Sequence, residues 1–122
     1  MARILVADDR EDIREMLRAM LSMAGYDGLV APAGESALTL MRAWPVDLII
    51  TDIFMPGKEG IETIIELRRD FPSVKIVAMS GGGQLGELHY LEDAVKLGAV
   101  RSILKPFRVE EILAVVREAL AS

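Results

Sequence analysis

The stretch Val46-Asp47-Leu48-Ile49-Ile50-Thr51-Asp52-Ile53-Phe54-Met55-Pro56-Gly57 decides how this chain is read. Its apolar run is short, rich in Leu and Ile, and broken just beyond by Pro and Gly. That pattern predicts a strand buried on both faces with Asp52 at its carboxyl end. Similar runs occur elsewhere, each followed by polar residues. Arg3 to Ala7 gives way to Asp8-Asp9, Val74 to Met79 to Ser80 and Gly81-Gly82-Gly83, and Val100 to Leu104 to Lys105-Pro106-Phe107. A weaker extended stretch covers Gly28 to Ala31.

Between these runs the apolar period changes to that of a helix. Ile13, Met16, Leu17, Met20, Leu21 and Ala24 form one stripe ended by Gly25. Ala37, Leu38 and Met41 mark a second helix that closes at Trp44-Pro45, and Ile61, Ile64, Ile65 and Phe71 a third that Pro72 ends. Leu88, Leu91 and Val95 suggest a fourth between about Gln84 and Leu97, with Gly98 at its end. Val109, Ile112, Leu113, Val116 and Leu120 carry the last. Strand and helix therefore alternate, the pattern of an α/β, doubly wound parallel sheet with helices on both faces. No repeat, low-complexity segment or linker divides residues 1–122, which read as one domain.

Composition narrows the function. The 122 residues are 52% hydrophobic and 27% charged, which excludes disorder. A net charge of -5 would repel a nucleic acid backbone and favours a cation or a basic partner. No apolar run approaches the ~18 residues of a membrane span, and the amino-terminal residues do not read as a secretory signal. The absence of cysteine excludes thiol chemistry and suits a cytoplasmic setting.

In open α/β sheets, ligands bind beyond the carboxyl ends of the strands. Asp8, Asp9, Asp52, Ser80 and Lys105 all follow apolar runs directly, so the topology gathers them at one edge. Three crowded carboxylates repel one another, and a hard divalent cation such as magnesium relieves that repulsion. One carboxylate can then act as nucleophile towards a phosphoryl group, with Lys105 and Ser80 contacting the phosphoryl oxygens. Taken singly, each residue has a blander reading. Asp8 and Asp9 suit helix capping, Asp52 and Ser80 suit turns, and Lys105 suits solvent. Four independent accidents at strand ends are harder to accept than one site. The glycine tract follows the wrong strand for a dinucleotide cradle and reads as loop freedom. His89 has no partner at metal-ligand spacing, the seven Met read mainly as core filler, and Trp44 is expected to pack at a helix end.

On these residues the chain resembles, over essentially its whole length, the receiver domains of two-component response regulators. The resemblance implies a five-stranded sheet of order 2-1-3-4-5, flavodoxin-like (CheY-like), over residues 1–122. It implies magnesium held by Asp8, Asp9, Asp52 and the main-chain carbonyl of Phe54, with Asp52 as phosphoacceptor in its D-x-x-M-P-G setting. Ser80 matches the family hydroxyl and Lys105-Pro106-Phe107 its K-P-F motif, with the peptide before Pro106 expected to be cis. A histidine kinase or phosphotransfer protein would donate the phosphoryl group. The face of the fourth helix, fifth strand and last helix would then act on a downstream protein or a missing output domain, or form a homodimer. The family implies no direct nucleic acid or membrane contact for such a domain.

Two departures stand out. Ser102 occupies a position where receivers usually carry Tyr or Phe, so the usual aromatic switch is absent. The segment from Ser80 to Gly98 reads as lengthened around Gly81 and Gly82. Phe54, where the family uses polar side chains to place water, implies slow self-dephosphorylation. Two rivals stand beside this reading. One is a phosphorylation-independent scaffold, which Ser102 favours and the intact acid-hydroxyl-lysine set opposes. The other is a magnesium-dependent phosphatase with an aspartyl nucleophile, which should have an acid where Phe54 stands and a cap for which the chain leaves little room.

Overall fold

A computed structural model describes residues 1–53, 60–81 and 87–122, and the side chains of all of these except 60 and 87–91. The elements are β1 (Arg3–Ala7), α1 (Glu11–Met23), β2 (Asp27–Ala31), α2 (Gly34–Ala43), β3 (Leu48–Asp52), α3 (Gly60–Asp70), β4 (Lys75–Gly81), α4 (Glu87–Leu97), β5 (Arg101–Lys105) and α5 (Val109–Ala121). The strands form one sheet in the order β2-β1-β3-β4-β5. All four neighbouring pairs are parallel, as strands joined by helical crossovers must be.

Central position in the sheet explains why β3 reads as an unbroken apolar run. Leu48, Ile49, Ile50, Thr51 and Asp52 are all buried. Alternation along the strands separates two cores. Leu5, Ala7, Ile49, Ile76 and Ala78 face α2, α3 and α4, meeting Leu38, Met41, Ile64, Leu67 and Ala94. Ile4, Val6, Leu48, Ile50, Val77, Met79 and Ile103 face α1 and α5, meeting Leu17, Leu21, Ile112 and Val116.

The helix ends follow local rules. Gly25 takes φ +92° after α1, and Gly98 takes φ +133° after α4. At Gly98 a side chain would also collide with Arg68, since an added Cβ would lie 2.7 Å from the Arg68 Nε. The Arg68 guanidinium donates to the carbonyls of Pro72 at 2.8 Å, Val74 at 3.1 Å and Gly98 at 2.9 Å. One side chain thus ties the end of α3 to the start of β4 and to the turn that follows α4.

Several packing expectations need correction. Ile65 and Val95 are each 45% exposed, and among the described residues the buried positions of their helices are Thr63, Ile64, Leu67 and Ala94. Neighbouring helix positions point about 100° apart, so an error of one residue in phase turns a side chain from core to surface. Met16, Ala24 and Val109 are likewise exposed, although the apolar stripes include them. Met41 and Met79 are core residues and Met20 packs against the core, but Met1, Met16 and Met23 are exposed. Met is therefore not mainly filler among the described residues. Trp44 is exposed rather than packed, with the Arg3 guanidinium 5.8 Å above its ring. β5 is an edge strand in which only Ile103 is buried. Leu88, Leu91, His89 and Met55 have side chains outside the described residues.

Adjacent residues of α3 give a direct test of this packing. Ile64→Ala should cost roughly 2–5 kcal/mol in urea denaturation, whereas Ile65→Ala should stay within about 0.5 kcal/mol of wild type.

Candidate functional site

The register of the sheet builds the site. Ala7 lies level with Thr51, so the residues that follow them, Asp8 and Asp52, emerge side by side at the carboxyl edge. Gly81 lies level with Lys105 one strand further on. Asp8, Asp52 and Lys105 continue the rows of Ile4-Val6, Leu48-Ile50 and Ile103, all on the α1/α5 side. Ser80 continues the opposite row, that of Ile76 and Ala78.

The Lys105 Nζ donates to Asp8 Oδ2 at 2.7 Å and to Asp52 Oδ2 at 3.0 Å. Asp8 is fully buried and Asp52 is 6% exposed. Two buried carboxylates this close demand a cation, and the ammonium meets that demand. Burial is the largest single influence on the lysine and works against its charge. The hydrogen bonds and charges of Asp8 and Asp52 together outweigh it, and the Lys105 pKa is raised. The stabilising contribution of this group is thus complete below the ordinary lysine value and is lost only as pH rises through the higher folded value. At neutral pH Lys105 carries its full charge.

Asp8 is held on every side. Its amide donates to the Ala31 carbonyl at 3.1 Å. Its Oδ1 accepts from the Arg10 amide at 2.9 Å, and its carbonyl accepts from the Arg14 Nη1 at 2.9 Å. The capping reading of the acidic pair fails, because the N-cap of α1 is Arg10 and the first-turn amide of Ile13 donates to Asp12 at 3.0 Å rather than to either of them. Asp9 is exposed, and an oxygen from each of Asp8, Asp9 and Asp52 lies within 4.8 Å of the others. Three hard oxygen donors gathered at this spacing suit magnesium, which takes carboxylates and waters at about 2.0–2.1 Å in an octahedron.

Of the remaining sequence candidates, Ser80 and Gly81 end β4, and Ser102 and Pro106 lie on β5 and just after it. The Ser80 hydroxyl is buried and donates to the Gly81 carbonyl at 3.5 Å, a long contact for a hydroxyl. Gly81 closes β4, and among the described residues nothing stands within 4 Å of where its Cβ would lie. Ser102 is exposed on β5, level with Ala78. The peptide between Lys105 and Pro106 is cis, as the K-P-F resemblance implies. Phe54 and Gly82 lie outside the described residues. Sequence reasoning missed Arg14, whose only signal was a cation within reach of the acidic turn on the first turn of α1.

Removing the central cation tests this electrostatic account. Lys105→Met should destabilise the metal-free protein by about 3–5 kcal/mol at neutral pH, and adding Asp52→Asn should recover part of that loss. Equal denaturant midpoints for Lys105→Met and wild type would contradict it.

Known proteins share both sequence and architecture with this chain. Residues 4–117 match the response regulator receiver domain family. The transcriptional regulatory protein CpxR of Klebsiella pneumoniae is 38% identical over 120 residues, covering 98% of this chain and 50% of CpxR. The chain thus spans about half the length of that relative. Sporulation initiation phosphotransferase F of Bacillus subtilis is 30% identical, covering 97% of this chain and 93% of its own. The receiver domain of NtrX from Brucella abortus superposes with a TM-score of 0.91 at 30% identity, covering 98% of each chain. Chemotaxis protein CheY4 of Vibrio cholerae gives 0.88 at 27% identity, again over 98% of each chain. With its 2-1-3-4-5 sheet and its acids and lysine at the carboxyl edge, the chain belongs to the response regulator receiver domain family.

Proposed function

We propose that residues 1–122 form one receiver domain that accepts a phosphoryl group on Asp52. The observation that carries this reading is the Lys105 ammonium placed 2.7 Å from Asp8 and 3.0 Å from Asp52, beside an acidic trio with the donor chemistry of a magnesium site. Asp8, Asp9, Asp52 and the Phe54 carbonyl would hold the metal, which when bound supplies positive charge for the incoming phosphoryl oxygens.

The donor is a phosphohistidine of a histidine kinase or phosphotransfer protein. An Asp52 carboxylate oxygen attacks phosphorus, the phosphorus–nitrogen bond breaks, and the imidazole leaves as the neutral base after taking a proton. Lys105 exchanges its bond to Asp52 for one to a phosphoryl oxygen, and Ser80 donates its hydroxyl proton to another. The added charge of about -1.5 to -2 then draws both groups inward. That closure biases the face of α4, β5 and α5 towards a second state. Val95 and Leu104 leave this face apolar and exposed, which suits docking of a downstream protein, an output domain or a second copy. Among the described residues no helix is long and apolar enough to cross a membrane, and on this reading the domain works in the cytoplasm.

Intact mass measurement after incubation with a small phosphodonor tests the chemistry. Wild type should gain one phosphoryl mass with magnesium and none without it, and Asp52→Asn should gain none. No gain on wild type would favour the phosphorylation-independent scaffold. Once the donor is removed, the phosphoryl group should persist for minutes or longer, because the Phe54 ring cannot place water for hydrolysis. Loss within seconds would overturn that expectation.

A further inference from the structure

We infer that Arg14 is a positioning residue for Asp9, acting through the main chain. The inference rests on the phosphoacceptor reading and deepens it by naming what aims the exposed member of the metal-binding trio.

Asp8 and Asp9 are adjacent but held very differently. The amide, carbonyl and both carboxylate oxygens of Asp8 are all engaged, by Ala31, Arg14, Arg10 and Lys105 respectively. Among the described residues the Asp9 carboxylate makes no hydrogen bond or ion pair of its own. With no such partner to fix the side chain, the backbone that carries it sets the positions its carboxylate can reach. The Asp8 carbonyl and the Asp9 amide share one rigid peptide plane, so whatever holds the carbonyl fixes the plane from which Asp9 departs. The half-buried Arg14 guanidinium holds that carbonyl at 2.9 Å. Arg14 also belongs to α1, whose Leu17 and Leu21 are buried in the core. The turn bearing Asp9 is thereby tied to a fixed helix.

Charge and position make opposite demands at this residue. Arg14 brings a positive charge close to a cation site, so removing it on charge grounds alone would strengthen magnesium binding. If Arg14 instead aims Asp9, removing it weakens binding. The sign of the change decides between the two roles.

The test is a calorimetric titration of the whole chain with magnesium chloride, with thermal melting as a check on folding. Arg14→Gln is expected to bind magnesium roughly 10-fold more weakly, the lower range for loss of a group that orients a metal ligand. Arg14→Lys, which can still reach the carbonyl with a single donor, should fall between Arg14→Gln and wild type. Adding Arg14→Gln to Asp9→Asn should cause little further loss, because the residue being aimed is already impaired. In phosphorylation assays, the magnesium concentration for half-maximal rate should rise by the same factor. The rate at saturating magnesium should stay within about twofold of wild type.

Unchanged or tighter binding by Arg14→Gln overturns the assignment, as does a full additional loss in the Asp9→Asn background. If Arg14→Gln does not fold, Arg14→Lys decides alone: weaker binding supports the role and unchanged binding overturns it. A wild type that takes up no magnesium would overturn the phosphoacceptor reading itself, and the Arg14 assignment with it.

Discussion

Everything at the carboxyl edge depends on one ammonium group lying between two buried acids. Lys105 reaches Asp8 across 97 residues of sequence and Asp52 across 53. No local propensity could assemble that contact. It exists because β1 and β3 are adjacent, so that Asp8 and Asp52 emerge level, and because β5 carries Lys105 two residues beyond that level, from where its long side chain meets both. The site is thus a product of the parallel topology. Its electrostatic cost is carried by the two apolar cores beneath it, where Ile4, Leu5, Ile49, Ile50 and Ile76 are fully buried. Burying like charges is tolerable only on such a foundation.

Alternation along the strands imposes a division on that edge. Asp8, Asp52 and Lys105 lie on the side shared with α1 and α5, whereas Ser80 starts from the side shared with α2, α3 and α4. The charged groups and the Ser80 hydroxyl therefore belong to different layers. In the proposed reaction, a group carried on Asp52 would touch both layers at once. On that reading a single covalent event would be registered on both faces of the sheet.

Much of this was legible in the sequence, and the reason differs from residue to residue. Asp52 could be found because a fully buried strand leaves an uninterrupted apolar run, and a polar residue that ends one must lie at a strand end. The same logic placed Asp8 and Ser80, whereas Lys105 closes an edge strand in which only Ile103 is buried and was marked by its K-P-F setting. Val95 and Ile65 were misplaced because an apolar residue beside a true core position fits the helical period nearly as well. Ala94 gave no hint of its burial, being too small to stand out in a hydrophobic pattern. Arg14 was hidden for a different reason. Its partner is a main-chain carbonyl, and carbonyls are present at every position, so no pairing of residue types betrays the bond. Arg68 escaped notice in the same way, since it binds the carbonyls of Pro72, Val74 and Gly98.

The exposed ring of Trp44 bears on how this molecule can be observed. It is the single tryptophan of the chain, and it sits beneath Arg3, at the amino end of β1. The acids lie at the other end of that strand, about 16 Å away at the usual 3.3 Å rise per residue. Intrinsic fluorescence will therefore report loss of the whole fold, through separation of Arg3 from the indole. It will be nearly blind to events around Asp52, and an optical readout there needs a new fluorophore at the opposite pole.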